Sequence, residues 1–122
     1  MITVRSDFTV IFGGKDKKTM EMEIKARSTD RNLLLEFTGE LDHHGARRAI
    51  QELEQELDAA LPRKLVLDFA GVTFMDSSGI ALILRAQRRM QNLNGSVLVC
   101  HVPPQAKRVL DAAGIARLVA IR

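Results

Sequence analysis

The sequence predicts a single α/β domain built on a mixed sheet, and three patterns carry that prediction. Alternation of apolar and polar residues with a period of two dominates the chain up to residue 41. From residue 45 onward, helical apolar stripes alternate with short apolar runs that are typical of strands. Strands that alternate with helices form parallel crossovers, whereas a leading hairpin is antiparallel, so we expect a mixed sheet.

Two alternating segments at the start of the chain predict an antiparallel hairpin. The segment TMEMEIKARS places four apolar residues on one face, which are Met20, Met22, Ile24 and Ala26. Residues 2–12 show the same alternation, and the charged, glycine-rich stretch GGKDKK lies between the two segments. We therefore expect residues 1–19 to be an extension that adds a strand and a loop to a main domain at 20–122.

The central elements are predicted from changes in apolar spacing. NLLLEFTGEL, residues 32–41, alternates like a further strand, and residues 45–61 carry a helical stripe that Pro62 ends. KLVLDFA and SVLVCHV, which begin at residues 64 and 96, are nearly continuous apolar runs. Such runs predict buried strands, and for KLVLDFA a strand covered on both faces or nearly so.

Two helices and a short strand complete the prediction. The helix that follows residue 76 is expected to end near NLNG, with an apolar stripe of Ile80, Ala81, Ile83, Leu84 and Met90. Pro103 and Pro104 are typical of the start of the next helix, and Gly114 of its C-cap. RLVAI, residues 117–121, predicts the last strand.

Composition narrows the classes of function. No apolar run approaches the roughly 18 to 20 residues of a membrane span, and Arg5 and Asp7 interrupt the first segment before a signal peptide can form. We expect a cytoplasmic protein with no membrane partner. The net charge of +3 comes with only 4% aromatic residues and no Trp or Tyr, so stacking platforms for nucleic acid are lacking and no direct nucleic-acid partner is expected.

Two smaller features each allow a plain structural interpretation. Cys100 is the only cysteine and lies in an apolar run, so we predict a buried small hydrophobic residue and not a nucleophile. Arg85, Arg88 and Arg89 cluster on one helical segment. They are interpreted as a solvated helix face, with an acidic protein partner as the alternative.

The corner FMDSSG, residues 74–79, places an acid and two hydroxyls where a strand gives way to a helix. A single N-cap would suffice there, and it contributes about 1 kcal/mol. Asp76, Ser77 and Ser78 in a row leave at least one hydroxyl at the positive end of the helix dipole, where an anion gains about 0.3 to 1 kcal/mol. The residues alone leave both a helix cap and a modifiable or binding site open.

A second polar corner is GELDHHG, residues 39–45, where the preceding strand also gives way to a helix. Enzyme and metal hypotheses are weaker at both corners. A nucleophile elbow needs a glycine two residues before the serine, and Met75 occupies that position. Nothing in the spacing fixes a histidine against Ser77, so no catalytic residue is expected. A metal site from Asp42, His43 and His44 is disfavoured because adjacent residues seldom converge on one ion, so neither metal nor cofactor is expected. For either histidine, a loop or capping role is the expected outcome.

The segments FTGELDHH, LVLDFAGVTFMDSSGIALIL and VLVCHVPPQAKRVLDAAGI together resemble the STAS domain, and within that family the sporulation-type anti-sigma factor antagonists. The resemblance runs from about residue 20 to the end. MDSSG and GELDHH are its most specific motifs. Two features depart from the family pattern: residues 2–12 add a strand, and the sporulation members continue into a further helix beyond residue 122.

The resemblance implies a non-enzymatic switch. Ser77 matches the serine that an anti-sigma factor kinase phosphorylates, and the unphosphorylated form is expected to bind that nucleotide-bound kinase and to release a sigma factor. A PP2C-like phosphatase is expected to restore the serine. The matching partner surface comprises Asp42, His43, His44, Asp76, Ser78 and Gly79. The alternative is a constitutive STAS scaffold or stress-signalling module that phosphorylation does not control.

Overall fold

A computed structural model describes residues 8–12 and 22–122. Within them the elements follow in the order β1 (Phe8–Phe12), β2 (Met22–Thr29), β3 (Asn32–Leu41), α1 (His43–Ala60), β4 (Lys64–Met75), α2 (Ser77–Asn92), β5 (Ser96–Cys100), α3 (Pro104–Ala113), a 3-10 turn (Ile115–Arg117) and β6 (Ala120–Ile121). The described strands form a six-stranded sheet in chain order, from β1 at one edge to β6 at the other.

The sheet is mixed, as the sequence predicts. β1, β2 and β3 pair antiparallel, whereas β3, β4, β5 and β6 pair parallel through helical crossovers. The predicted hairpin is therefore confirmed for residues 8–12 and 22–29, while its parts at 2–7 and 13–21 lie outside the described residues. The domain boundary at residue 20 stays a prediction.

β4 continues for five residues beyond the segment predicted as a strand. Its last part pairs with the end of β3 through two register shifts. One shift lies between Glu36 and Thr38 of β3 and the other between Gly39 and Glu40, and at each of them β4 has one residue more than β3. At the first shift, a Cβ on Gly71 would lie 2.6 Å from Thr38 Oγ1 and 2.8 Å from the Phe37 carbonyl oxygen. Only glycine fits this close approach, and such bulges redirect the side chains that follow them.

β4 is fully buried on one face and mostly covered on the other, which agrees with the prediction of a strand covered on both faces or nearly so. Along β4, Leu65, Leu67 and Phe69 are fully buried, whereas Val66 and Asp68 between them are partly exposed. β5 alternates in the same way. The apolar runs are nearly continuous because the partly exposed positions also carry apolar side chains, so the sequence alone does not show which face is fully buried.

Helices α1 and α2 pack on each other and on the sheet, with α1 against β3 and α2 against β4 and β5. The structure changes the predicted stripe of α2. Ile83 and Met90 are buried and Ile80 packs at the edge of the core, but Ala81 and Leu84 are exposed. Leu82 and Ala86 are buried in their place. Ala81 and Leu84 therefore form a short apolar strip on the outer face of α2.

The end of the chain follows the prediction with shorter elements. α3 begins at Pro104, with Pro103 in the N-cap position, and Gly114 ends it in the left-handed conformation at φ 69°. β5 ends at Cys100, two residues before the predicted end. The last strand contains only Ala120 and Ile121, because a 3-10 turn occupies the residues before it. None of the helices in the described part of the chain combines the length and apolar character that crossing a membrane requires.

Two of the clustered arginines pair within the protein. Arg89 of α2 donates to Glu54 of α1 over 3.1 Å and also to Asp58, and Arg85 Nε lies 3.2 Å from Glu54 Oε2. The hydrogen bond to Asp58, with the charges of both acids, raises the pKa of Arg89 above its usual value. The acids that pair with Arg85 and Arg89 thus belong to α1 of the same protein. Of the three arginines, only Arg88 fits the predicted solvated face.

We expect Arg89→Gln to lower the free energy of unfolding by up to about 1 kcal/mol, because partly exposed ion pairs contribute modestly. Chemical denaturation at low and high salt measures the free energy of unfolding. Added salt should reduce the difference in this free energy between the variant and the parent protein, because salt screens ion pairs. Arg88→Gln is the matched control, since Arg88 is exposed on the same helix. An equal loss in both variants would show that the interhelical pairing is not responsible.

Candidate functional site

The two polar corners meet because β3 and β4 end side by side. Leu41, the last residue of β3, lies opposite Met75, the last residue of β4. The backbone N–H of Asp76 then donates to the Leu41 carbonyl oxygen over 3.3 Å. Neighbouring strands are about 4.8 Å apart, so the first residues after both strands are neighbours. The site lies at the carboxyl ends of parallel strands, the usual place for a site in such sheets.

The first corner is an N-cap followed by two helical histidines. Asp42 caps α1, since its Oδ1 accepts from the Gly45 backbone N–H over 2.8 Å. His43 and His44 are the first two residues of α1, both are exposed, and their ring centroids lie 6.5 Å apart. The loop or capping role expected for the histidines is therefore wrong: the helix begins two residues before the predicted start, and the acid alone is the cap.

The second corner separates its three polar residues by role. Asp76 is the N-cap of α2, and its Oδ1 accepts from the Ser78 backbone N–H over 2.7 Å. Ser78 is half-buried, whereas Ser77, the first residue of the helix, is exposed. The Ser77 hydroxyl makes no hydrogen bond to any residue in the described ranges. Asp76 thus caps the helix, and the Ser77 hydroxyl beside it is exposed and available to a binding partner or a modifying enzyme.

Gly79 is buried at the base of this corner. A Cβ at this position would lie 2.3 Å from Met75 Cγ and 2.5 Å from its Sδ, so the Met75 side chain occupies the space that a larger residue would need. The Gly79 backbone N–H also donates to the Asp76 carbonyl oxygen over 3.0 Å. A direct partner contact at Gly79 remains a prediction, and the burial favours a positioning role through the packing of α2 on the strand end.

Gln105 of α3 holds the backbone of the strand end, and sequence reasoning missed it. Its Oε1 accepts from the Met75 N–H and its Nε2 donates to the Met75 carbonyl oxygen, both over 2.8 Å. The side chain therefore completes the pairing of the last residue before the Asp76 cap. A glutamine in the first turn of a helix gives no sequence pattern for this contact, because its partner lies 30 residues away.

The corner is open to solvent and borders a groove. Ile80 from α2 and Gln105, Arg108 and Val109 from α3 line this groove, whose volume is about 490 Å³.

No hydrogen bond joins Ser77 to a histidine within 8–12 and 22–122, so those residues contain no serine–histidine pair. Cys100 is half-buried, and this burial, with the nearby Asp68 charge, raises the pKa of its thiol. A raised pKa disfavours the thiolate that a nucleophile requires.

A mixed sheet with two helix N-caps side by side defines an α/β domain whose candidate site is an exposed corner and not an enclosed pocket. The chain belongs to the STAS domain family, whose model matches residues 23–122. The fold and the family predicted from the sequence are thereby confirmed.

The chain is also similar in sequence to named relatives and in fold to solved structures. The chain is 28% identical over 102 residues to an anti-sigma F factor antagonist of Paenibacillus polymyxa, covering 84% of this chain and 87% of the relative. It is 21% identical to a structure of the anti-sigma factor antagonist SpoIIAA in its unphosphorylated form, with a TM-score of 0.70 and coverage of 81% and 87%. A structure of the Bacillus cell fate determinant SpoIIAA in the phosphorylated form is 22% identical, with a TM-score of 0.59 and coverage of 75% and 83%.

We expect Asp76→Ala to lower the free energy of unfolding by about 1 kcal/mol, because it removes the N-cap of α2. Ser77→Ala should change stability by less than about 0.5 kcal/mol, since the exposed hydroxyl has no partner among the described residues. Thermal and chemical denaturation of the two variants measure this difference. A larger loss in Ser77→Ala than in Asp76→Ala would reverse the assignment of cap and free hydroxyl.

Proposed function

We propose that this protein is an anti-sigma factor antagonist whose binding to an anti-sigma factor kinase is switched off by phosphorylation of Ser77. The observation that carries the proposal is the exposed Ser77 hydroxyl at the first position of α2, where Asp76 already serves as the cap. Membership of the STAS family and the name of the Paenibacillus relative support the same function.

The position of Ser77 suits a phosphoacceptor for two physical reasons. The hydroxyl is exposed on the first turn of the helix, so a kinase can reach it without unfolding the domain. The N-terminus of α2 also carries a partial positive charge, which favours an added anion by about 0.3 to 1 kcal/mol. Phosphorylation in SpoIIAA, for which a phosphorylated structure of the same fold exists, is consistent with such a site.

The proposed partner surface extends from the corner along the outer face of α2. Ser77, Ala81 and Leu84 are spaced by four and three residues and are all exposed, so they share one helix face. Phe74, 41% exposed, adds a large apolar side chain at the start of the corner. Exposed apolar side chains beside polar groups are typical of a protein interface.

The adjacent corner adds polar and titratable groups to this surface. His43 and His44 are exposed on the first turn of α1, next to the Asp42 cap. We assign them, with Asp76 and Ser78, to the rim of the same interface. Gly79 contributes by setting how closely α2 packs on Met75.

Phosphate would act as a local electrostatic switch. It adds a charge of about −1.5 to −2 next to Asp76 and Asp42, at the centre of the proposed contact. A bound partner would have to desolvate that charge, and the penalty for an uncompensated ion is several kcal/mol. The complex is expected to dissociate with no refolding of the domain, and a PP2C-like phosphatase would restore binding.

The second candidate function is a constitutive STAS scaffold or stress-signalling module. The exposed apolar strip on α2 would serve such a scaffold equally well, because it does not depend on modification of Ser77. The two functions differ in whether a negative charge at residue 77 changes affinity for the partner.

Incubation with a candidate anti-sigma factor kinase and ATP should place one phosphate on Ser77, mapped by mass spectrometry. Ser77→Ala should abolish the modification, whereas Ser78→Ala, the matched control with the adjacent hydroxyl removed, should retain it. Phosphate on another residue, or modification that persists unchanged in Ser77→Ala, would rule out Ser77 as the acceptor.

We expect Ser77→Asp to weaken binding to the anti-sigma factor by about tenfold to a hundredfold, which corresponds to about 1.4 to 2.8 kcal/mol. Ser77→Asn is the matched control, because it has the same shape without the charge. Calorimetry on the folded variants measures both affinities. Equal affinities for the two variants would favour the constitutive scaffold.

A further inference from the structure

A second cluster of reactive side chains lies on the partly exposed face of the sheet, away from the Ser77 corner. Asp68 on β4 and Cys100 at the end of β5 are direct neighbours across the parallel pair, and both are partly exposed. His101 follows Cys100 and is exposed. A carboxylate, a thiol and an imidazole thus meet where β5 leaves the sheet.

The ligand atoms of these residues are close enough to share one ion. His101 Nδ1 lies 3.2 Å from Asp68 Oδ1, and the three ligand atoms all lie within 4.8 Å of one another. Tetrahedral zinc, with bonds of about 2.0 to 2.3 Å, separates its ligands by roughly 3.3 to 3.6 Å. The 3.2 Å between the oxygen and the nitrogen is close to this spacing, and the sulfur, within 4.8 Å of both atoms, would have to move towards them on binding.

The backbone holds two of the ligands in this arrangement. The Ala70 N–H donates to Asp68 Oδ1 over 2.9 Å and so orients the carboxylate. Adjacent residues such as Cys100 and His101 seldom converge on one ion, but here His101 has the left-handed conformation, with φ 57°, where the chain turns out of β5. The ligand atoms of both residues lie within 4.8 Å of each other and of the Asp68 carboxylate in this arrangement. Hydrogen bonds of this outer-shell kind commonly fix the ligands of metal sites.

We propose that Asp68, Cys100 and His101 form a binding site for a divalent transition-metal cation of the zinc class. A set of one sulfur, one nitrogen and one oxygen ligand suits zinc better than magnesium or calcium, which prefer oxygen ligands alone. Three protein ligands leave a fourth position for water. The bound ion would tie the β5–α3 connection to β4.

A simple ion pair between His101 and Asp68 is the competing explanation. It accounts for the 3.2 Å contact but gives no role to the Cys100 thiol beside it. Burial and the Asp68 charge raise the pKa of the Cys100 thiol, and the smaller effect of the Arg122 charge lowers it. A bound ion would therefore have to displace the thiol proton, and it would also be repelled by Arg122. Direct evidence for sulfur ligation therefore distinguishes a metal site from an ion pair.

Titration of the reduced protein with Co²⁺, followed by absorption spectroscopy, tests the proposal. One equivalent of Co²⁺ should produce a thiolate-to-cobalt charge-transfer band, and Zn²⁺ should displace it. Cys100→Ser should abolish the band, and His101→Ala and Asp68→Asn should each weaken Co²⁺ binding by about tenfold or more. Circular dichroism checks that each variant is folded, and Cys100→Ala provides a second thiol-free variant.

The double variant His43→Ala/His44→Ala separates this site from adventitious binding, since it removes the other two histidines of the chain. It should retain the charge-transfer band with unchanged stoichiometry. Either of two results would overturn the proposal: no thiolate band for the parent protein at stoichiometric Co²⁺, or Co²⁺ binding that survives in Cys100→Ser and disappears in the double-histidine variant. The test is independent of Ser77 phosphorylation, so its failure would leave the proposed function intact.

Discussion

The parallel pairing of β3 with β4 is the constraint on which the rest of the structure depends. Two register shifts lengthen β4 so that Leu41 and Met75 end level, and the Asp76 N–H then bonds to Leu41. Each extra residue reverses the alternation of side chains along β4: the buried positions pass from Phe69 to Val72 and then to Met75, so the second shift returns Met75 to the face of Phe69. The close approach at Gly71 is thus linked to the position of two helix N-caps at the edge of the sheet.

The two caps in turn determine which polar groups are available. The acid at each N-cap accepts a hydrogen bond from a backbone N–H of its own helix, so Asp42 and Asp76 both serve as helix caps. The residues after them, His43 and Ser77, are exposed at the positive ends of two adjacent helices. Gln105 of α3 stabilises the end of β4, because its side chain forms hydrogen bonds with both the N–H and the carbonyl oxygen of Met75. The N-terminal parts of α1, α2 and α3 are therefore tied to the ends of β3 and β4, where Ser77 is exposed.

Much of the fold could be predicted from the sequence because local periodicity specifies each element. The alternation around Ile24 and the proline and glycine at the ends of α3 each depend on neighbouring residues only. What could not be predicted depends on distant partners. The pairing of Arg89 with Glu54 and Asp58, the Gln105 contact and the burial of Gly79 are tertiary contacts, and no short pattern encodes them.

The same limit applies to the candidate site. The three polar residues at 76–78 were recognisable as a cap with a spare hydroxyl, but their separate roles required the hydrogen bond from the Ser78 N–H to Asp76. The exposure of Leu84 was missed because helical spacing alone assigned it to the buried stripe. An apolar residue on a helix indicates burial or an interface, and only packing decides which.

The energies at Ser77 favour a switch that acts on the interface and not on the fold. The helix dipole stabilises an added phosphate by about 0.3 to 1 kcal/mol, and repulsion between its charge of about −1.5 to −2 and one carboxylate about 4 Å away in water costs about 1.5 to 2 kcal/mol. The net cost to the free domain is therefore about 1 kcal/mol, a small part of the 5 to 15 kcal/mol that is typical of a folded domain. Desolvation of the same charge beneath a partner costs several kcal/mol, or at least two orders of magnitude in affinity. A phosphate at this position therefore has its main effect only when a partner covers the corner.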